Sequence, residues 1–140
     1  MIVARLKSHI MRHEGYRASV YSDTLGVPTI GYGRNLRGVG ISKEEALLML
    51  ENDLQRAITA AKRLFPTFDS LSDERQEVLV NMAFNLGEWR LSGFVKFRRA
   101  VTSEEWHKAK REMIDSKWAN QVGERARELA TQFETSTARP

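Results

Sequence analysis

Residues 20–33 differ in composition from the chain on either side and limit the folds that it can adopt. Strand-favouring residues such as Val20, Tyr21 and Ile30 alternate there with turn-forming glycines and with Pro28. Short β-branched and aromatic runs separated by glycine and proline are typical of tight antiparallel hairpins. This stretch therefore predicts a small, twisted antiparallel sheet.

Before this stretch, apolar residues recur at helical spacing. Val3, Leu6 and Ile10 form one apolar stripe, and Gly15 is a stop signal after it. The pattern predicts a first helix with Glu14 at its carboxyl end, where that side chain would be firmly held.

After the sheet, a capping box and a long apolar stripe predict a long helix. Ser42 is followed three residues later by Glu45, and the stripe continues until Phe65-Pro66. Four shorter helices are then expected: one from Ser72 to Leu86-Gly87, one around Phe94, Phe97 and Val101, one capped by Ser103 with Trp106, Ala109 and Met113 facing inward, and one from Glu124 to Phe133, before a frayed tail from Thr135 to Pro140.

These elements predict an α+β fold in a single domain over residues 1–140. A sheet lobe at about 15–41 would join, through a connector helix at about 42–65, a helical lobe at about 66–134 that includes the N-terminal helix. A chain of 140 residues is long enough for one hydrophobic core. Trp89, Trp106 and Trp118 could stack on sugars, but helical spacing favours packing for at least two of them.

The composition limits the compartment and the partners. The chain has no cysteine, no apolar run long enough to span a membrane, and an amphipathic start rather than a secretory signal. We therefore expect it to fold in a reducing cytoplasm and not to export itself. We find no metal-ligand cluster or phosphate loop and expect no cofactor.

The charge of +4 and the pI of about 9.6 suit an anionic polymer, which could be bacterial wall material or nucleic acid. Basic residues such as Arg98, Arg99 and Lys110 are interleaved with acids such as Glu105 and Glu112. This interleaving favours a solvated helix face over a nucleic-acid interface.

Glu14, Asp23 and Thr29 are the candidate catalytic residues. Cleavage of a glycosidic bond needs one protonated carboxyl to protonate the leaving oxygen and one ionised carboxylate to act on water or on the anomeric centre. A hairpin can bring Asp23 and Thr29 back towards the helix end that carries Glu14. The alternative is that such carboxylates are surface groups or turn caps, as most are in a chain with 18 acids.

The motifs resemble those of the phage-type lysozymes, glycoside hydrolase family 24. They follow the family's order over nearly the whole chain: Glu14, Tyr21-Ser22-Asp23, Pro28-Thr29-Ile30-Gly31-Tyr32-Gly33, Asn81-Met82-Ala83-Phe84-Asn85-Leu86-Gly87-Glu88, Ser92-Gly93-Phe94, Ser116-Lys117-Trp118-Ala119-Asn120-Gln121 and Arg125-Ala126.

The resemblance implies a role for each catalytic candidate. Glu14 would be the general acid, Asp23 would position and activate the attacking water, and Thr29 would hold that water on the far face of the sugar, which inverts the anomeric centre. Arg125 would pair with Glu14 and support it. From the pattern alone, Thr29 could be only a strand residue and Arg125 only a surface cation.

The resemblance also implies substrate contacts. Phe84 matches a cleft residue, and Asn85 stands beside it as a hydrogen-bonding group, although the apolar pattern makes a core position for Phe84 equally reasonable. Asn35 replaces an apolar cleft residue. Phe97 and Glu112 stand where relatives have smaller polar groups, so the far end of the cleft should differ.

Two further departures affect the sheet lobe. Arg34 replaces a histidine of many relatives, and if their pairing survives it should meet Asp53 on the following helix. The segment between Leu36 and Ser42 is shorter than in relatives, so a trimmed lobe should contact fewer sugars.

The resemblance implies hydrolysis of the β-1,4 linkage between N-acetylmuramic acid and N-acetylglucosamine in peptidoglycan. It further implies a monomer without integral membrane association that waits in the host cytoplasm, is released by a separate holin-type pore, and acts on glycan strands of the periplasmic wall during host lysis. The alternatives are a lytic transglycosylase, which the Asp23 and Thr29 pair disfavours, a non-catalytic wall-binding module, and a small basic nucleic-acid binder.

Overall fold

The computed structural model describes residues 1–135, and the chain in that range is mainly helical with one small sheet. The elements in chain order are α1 (Val3–Glu14), β1 (Arg17–Ser22), β2 (Pro28–Gly31), β3 (Arg34–Asn35), α2 (Lys43–Leu64), a 3-10 turn (Phe68–Ser70), α3 (Asp73–Leu86), α4 (Glu88–Ser92), α5 (Val95–Thr102), α6 (Trp106–Ile114), α7 (Lys117–Val122) and α8 (Glu124–Thr135). The α+β fold class is confirmed.

The chain divides into two compact units, one from Met1–Leu48 and a second that begins at Met49. The first holds α1, the sheet and the first turns of α2, and the second holds the remaining helices. No helix within residues 1–135 is both long and apolar enough to cross a bilayer.

The sheet of the first unit is antiparallel, with strand order β1-β2-β3. Tyr21 lies opposite Thr29 across the first pair of strands, and Thr29 lies opposite Asn35 across the second. Because every strand is short, the turns between them set the geometry of the sheet.

Local signals end α1 and begin α2, as expected. Gly15 takes a φ of +73°, and its N–H donates to the Met11 carbonyl at 3.0 Å. At the start of α2, the Glu45 N–H donates to Ser42 Oγ at 3.1 Å, and the Ser42 N–H donates back to Glu45 Oε1 at 2.8 Å. This reciprocal pair is a capping box.

The core of the second unit is built from the carboxyl-terminal half of α2 and from α3 to α8. Phe97 stands at its centre, with its ring centroid 5.8 Å from those of Phe65 and Phe133. Other fully buried side chains are Val78, Leu79, Met82, Leu91, Val101 and Met113. Trp118 is buried and Trp106 packs on Phe133, whereas Trp89 is exposed, so the packing role expected for two tryptophans is confirmed.

Three expectations for this unit were wrong or incomplete. Ser103 does not cap α6, because it ends α5, and α6 begins only after Glu104 turns the backbone at a φ of +56°. The short helices α4 and α7 were not expected. Thr135, expected to be the first residue of the frayed tail, is instead the last residue of α8, and the rest of that tail, 136–140, lies outside the described residues.

Candidate active site

Asp23 lies in the turn that joins β1 to β2, where its side chain is fixed by its own backbone. Its Oδ1 accepts hydrogen bonds from the N–H groups of Leu25 at 2.8 Å and Val27 at 2.9 Å. The Asp23 N–H donates to the Val27 carbonyl, and the Gly26 N–H donates to the Asp23 carbonyl. The two bonds to Oδ1 hold that oxygen against the turn and leave Oδ2 as the oxygen that can act on another molecule, while the two backbone bonds close the turn.

Thr29 is buried in β2, with 4% of its surface exposed. Its hydroxyl donates to the Val27 carbonyl at 2.8 Å. Because that bond uses the hydroxyl proton, Oγ1 has only acceptor capacity left. Asp23 and Thr29 are therefore both hydrogen-bonded to the turn between β1 and β2, and each retains an oxygen that can accept a further hydrogen bond.

Glu14 ends α1, and its carboxyl lies on the turn between β2 and β3. A Cβ placed on Gly33 would stand 3.0 Å from Glu14 Oε2, 3.1 Å from Cδ and 3.4 Å from Cγ. Gly33 also has a φ of +81°, which glycine adopts without strain. The absence of a side chain at residue 33 thus makes room for the Glu14 carboxyl.

Glu14, Asp23 and Thr29 all lie on the first unit, at the two turns that flank β2 and on that strand itself. The strand pairing sets Thr29 next to the end of β1, from which Asp23 follows. The Glu14 carboxyl lies instead at the opposite end of β2, beside Gly33 in the turn between β2 and β3. One carboxyl thus lies at each end of β2, and the strand itself carries the Thr29 hydroxyl. Two carboxyls can share the acid and base roles in cleavage of a glycan strand.

Arg34 pairs with Glu45, and the expected pairing with Asp53 was wrong. Its two terminal nitrogens donate to Glu45 Oε1 at 2.8 Å and Oε2 at 2.6 Å, and one of them also donates to the Gly40 carbonyl at 3.0 Å. Asp53 instead pairs with Arg56 one turn along α2. The Arg34 and Ser42 hydrogen bonds lower the pKa of Glu45 from its usual value to about 2.

Asn35 shapes the short segment that follows the sheet. Its Oδ1 accepts from the N–H groups of Arg37 at 2.9 Å and Gly38 at 2.8 Å, and its carbonyl accepts from those of Val39 and Gly40. This side-chain oxygen is therefore engaged in the loop. Substrate contact by Asn35 stays a prediction.

Arg125 and Phe84 line a groove of about 700 Å³ in the second unit. The Arg125 guanidinium donates from Nε at 3.1 Å and from a terminal nitrogen at 2.5 Å to Asn81 Oδ1. Phe84 has 41% of its surface exposed, so the core position considered for it is not what the structure shows. Support of Glu14 by Arg125 and substrate contact by Phe84 stay predictions.

Asn85 and Phe97 hold structural contacts in the second unit. Asn85 Oδ1 accepts a hydrogen bond from the buried Trp118 Nε1 at 2.6 Å. Phe97 has 1% of its surface exposed and packs on Phe65 and Phe133. The structure thus gives both residues packing roles, and their contact with substrate stays a prediction.

Gly33 was expected only as a turn glycine of the matched motif, and Glu45 only as a helix cap. Gly33 sits beside the proposed acid, and Glu45 is the partner of Arg34. A glycine between Tyr32 and Arg34 within an otherwise strand-like run was the available signal for the first. No sequence signal was available for the pairing of Glu45 with Arg34, because a glutamate that caps a helix does not reveal in the sequence whether it has a further partner.

The mainly helical α+β fold with its small antiparallel sheet is consistent with one class of protein, the lysozyme-type glycoside hydrolases. The phage lysozyme family profile matches residues 11–134. This match covers most of the sequence, and the chain belongs to the phage lysozyme family.

Individual relatives agree with this assignment. The chain is 32% identical to the pre-baseplate central spike protein Gp5 of Enterobacteria phage T4 over 84% of its length, and it spans 25% of that protein. It is 27% identical to probable T4-type lysozyme 2 of Dictyostelium discoideum over 97% of both chains. It is 30% identical to the endolysin of Salmonella phage P22 over 69% of this chain and 68% of the endolysin.

Proposed function

We propose that this chain is a muramidase that hydrolyses the β-1,4 bond between N-acetylmuramic acid and N-acetylglucosamine in peptidoglycan, with inversion at the anomeric carbon. Membership of the phage lysozyme family supports the reaction class. The observation that carries the proposal is the position of the Glu14 carboxyl at the turn after β2, with Asp23 and Thr29 both bonded to the turn before it.

In the proposed reaction Glu14 is the general acid. It gives its proton to the glycosidic oxygen as the bond from that oxygen to the anomeric carbon breaks. The side chain is exposed at the end of α1, so a glycan strand can reach it. Its contact with Gly33 limits where the carboxyl can lie.

Asp23 and Thr29 orient the attacking water. Asp23 Oδ2 and Thr29 Oγ1 are both acceptors, since Asp23 Oδ1 and the threonine proton are engaged in the turn. Two acceptors take both protons of a water molecule and leave its lone pair to attack the anomeric carbon. The water proton then passes to Asp23, and attack opposite the leaving oxygen inverts the centre.

Product analysis of purified peptidoglycan tests this reaction. Hydrolysis leaves reducing muramic acid ends, whereas a lytic transglycosylase leaves 1,6-anhydro ends that are lighter by one water. We expect only reducing ends by mass spectrometry, with the α-anomer formed first in proton NMR spectra. Anhydro ends, or a β-anomer as first product, would contradict the mechanism, and no cleavage would contradict the activity.

We further propose that the protein acts as a monomer in host lysis. It would stay in the host cytoplasm until a separate holin-type pore releases it to glycan strands of the periplasmic wall. Its similarity to an endolysin and its charge of +4, which suits an anionic wall polymer, support this role. Expression in bacteria should lyse cells only when a pore-forming protein is co-expressed. Lysis without the pore would contradict the proposed route.

A further inference from the structure

The position of the Glu14 carboxyl depends on the backbone at Gly33. The carboxyl lies so close that a Cβ at residue 33 would be 3.0 Å from Oε2, tighter than ordinary van der Waals contact. Because Gly33 carries only a hydrogen at that place, the carboxyl has room to lie against its backbone. Any shift of the Gly33 backbone therefore changes where the carboxyl can lie.

The next residue, Arg34, ties that backbone to the start of α2. Its guanidinium binds both carboxylate oxygens of Glu45 and the carbonyl of Gly40. We call these three groups the Arg34 latch. Arg34 is half-buried, and its planar guanidinium matches the carboxylate with two parallel bonds, which fixes direction as well as distance.

Glu45 and Arg34, the two ends of the latch, are each fixed by further contacts. Glu45 Oε1 also accepts from the Ser42 N–H, so the carboxylate is part of the capping box of α2. Arg34 pairs with Ile30 in the sheet. The Gly33 turn therefore has β2 on one side and a residue bound to α2 on the other.

We propose that Arg34 is a positioning residue for the general acid, and that it acts through Gly33 to keep the Glu14 carboxyl where the glycosidic oxygen is protonated. This inference rests on the proposed function. Displacement of a reacting group by about 1 Å can cost up to about a hundredfold in rate. Loss of the latch should therefore lower kcat although Arg34 does not touch the reacting atoms.

The test compares Arg34→Gln and Arg34→Lys with the matched control Arg56→Gln. The control removes one arginine from the ion pair with Asp53 on the surface of α2. With soluble peptidoglycan fragments, we expect Arg34→Gln to lower kcat about tenfold with KM unchanged. Arg34→Lys keeps one charged hydrogen bond and should recover part of that loss, and the control should match the wild-type protein.

A measurement without substrate separates this inference from the proposed function. An NMR cross-peak between Gly33 Hα and Glu14 Hγ reports the contact directly, and it should weaken in Arg34→Gln but not in the control. If the wild-type protein fails to cleave peptidoglycan, the proposed function is wrong. The cross-peak alone then tests whether Arg34 keeps the Glu14 side chain beside Gly33. A lower melting temperature in Arg34→Gln, with kcat and the cross-peak both unchanged, would overturn the inference.

Discussion

The guanidinium carbon of Arg75 lies 3.8 Å from the centroid of the Trp106 ring. The same guanidinium donates to the carbonyls of Phe133 at 2.8 Å and Glu134 at 3.3 Å, near the end of α8. Burial lowers the pKa of Arg75, which has 4% of its surface exposed. One charge from α3 thus satisfies carbonyls near the carboxyl end of α8 and stacks on α6.

Arg75→Leu should lower the free energy of unfolding by about 2–3 kcal/mol. The substitution keeps an apolar volume but leaves two carbonyls without a charged donor and removes the cation–π contact. Chemical denaturation measures the change. Arg127→Leu, at an exposed pair with Glu124, is the control and should cost less than about 1 kcal/mol. Equal losses in the two variants would show that the Arg75 contacts add nothing specific.

Glu14→Gln should abolish clearing of wall suspensions, with kcat reduced by about a thousandfold or more, because the amide cannot donate the proton. The melting temperature should stay nearly the same, since the side chain is exposed. Glu44→Gln, at an exposed glutamate in the first turn of α2, is the matched control and should keep full activity. Activity retained in Glu14→Gln would refute the acid role.

Thr29→Val and Thr29→Ser should separate a water-holding role from a strand role. Serine keeps both the donor to the Val27 carbonyl and the acceptor for water, so kcat should change little. Valine keeps the shape but loses both, and we expect kcat to fall about a hundredfold with a stability loss of about 1 kcal/mol. If valine loses only stability, Thr29 is a strand residue without a role in catalysis.

Local signals were enough to predict the elements that carry the candidate site. The end of α1 at Gly15 and the capping box at Ser42 depend on interactions within a few residues, and both were found in the sequence. The short helices α4 and α7 were missed because five or six residues are too few to show a period. The cap of α6 was misplaced because Glu104 adopts a left-handed conformation that glycine or asparagine favours more.

Tertiary partners could not be predicted in the same way. Arg34 has several acids within reach in sequence, and only the folded structure shows that its partner is Glu45, while Asp53 pairs with Arg56. The likeness to relatives gave the catalytic candidates but also the wrong partner, because a chain that changes the histidine to arginine can change the acceptor as well. The contact between Glu14 and Gly33 forms only where the end of α1 meets the turn between β2 and β3. The sequence of either segment alone does not reveal that they meet.

Asn85→Ala should lower the free energy of unfolding by about 1–2 kcal/mol, because the buried Trp118 Nε1–H then lacks its acceptor. A double-mutant cycle with Trp118→Phe isolates this bond, since the second change removes the donor. Coupling near zero would show that the bond contributes nothing. A rise in KM for Asn85→Ala beyond that for Trp118→Phe would support the predicted contact with substrate.

The acid pH range should show the stability supplied by Glu45. Because the folded protein lowers the pKa of Glu45 from 4.5 to about 2, the unfolded chain takes up a proton at higher pH than the folded one. The contribution is therefore complete above about pH 4.5, and it is lost as the pH falls through about 2. Denaturation of wild-type and Glu45→Gln proteins should show a difference at pH 7 that shrinks over this window.

The same window can be used to verify the partner of Arg34. Arg34→Gln combined with Glu45→Gln should be less destabilising than the sum of the single changes, and this coupling should decline as the pH falls through about 2 and Glu45 becomes protonated in the folded state. Arg34→Gln with Asp53→Asn should be additive at every pH, because Asp53 pairs with Arg56. Coupling in the Asp53 cycle, or a Glu45 cycle that does not vary with pH, would contradict the ion pair and remove the physical basis of the Arg34 latch.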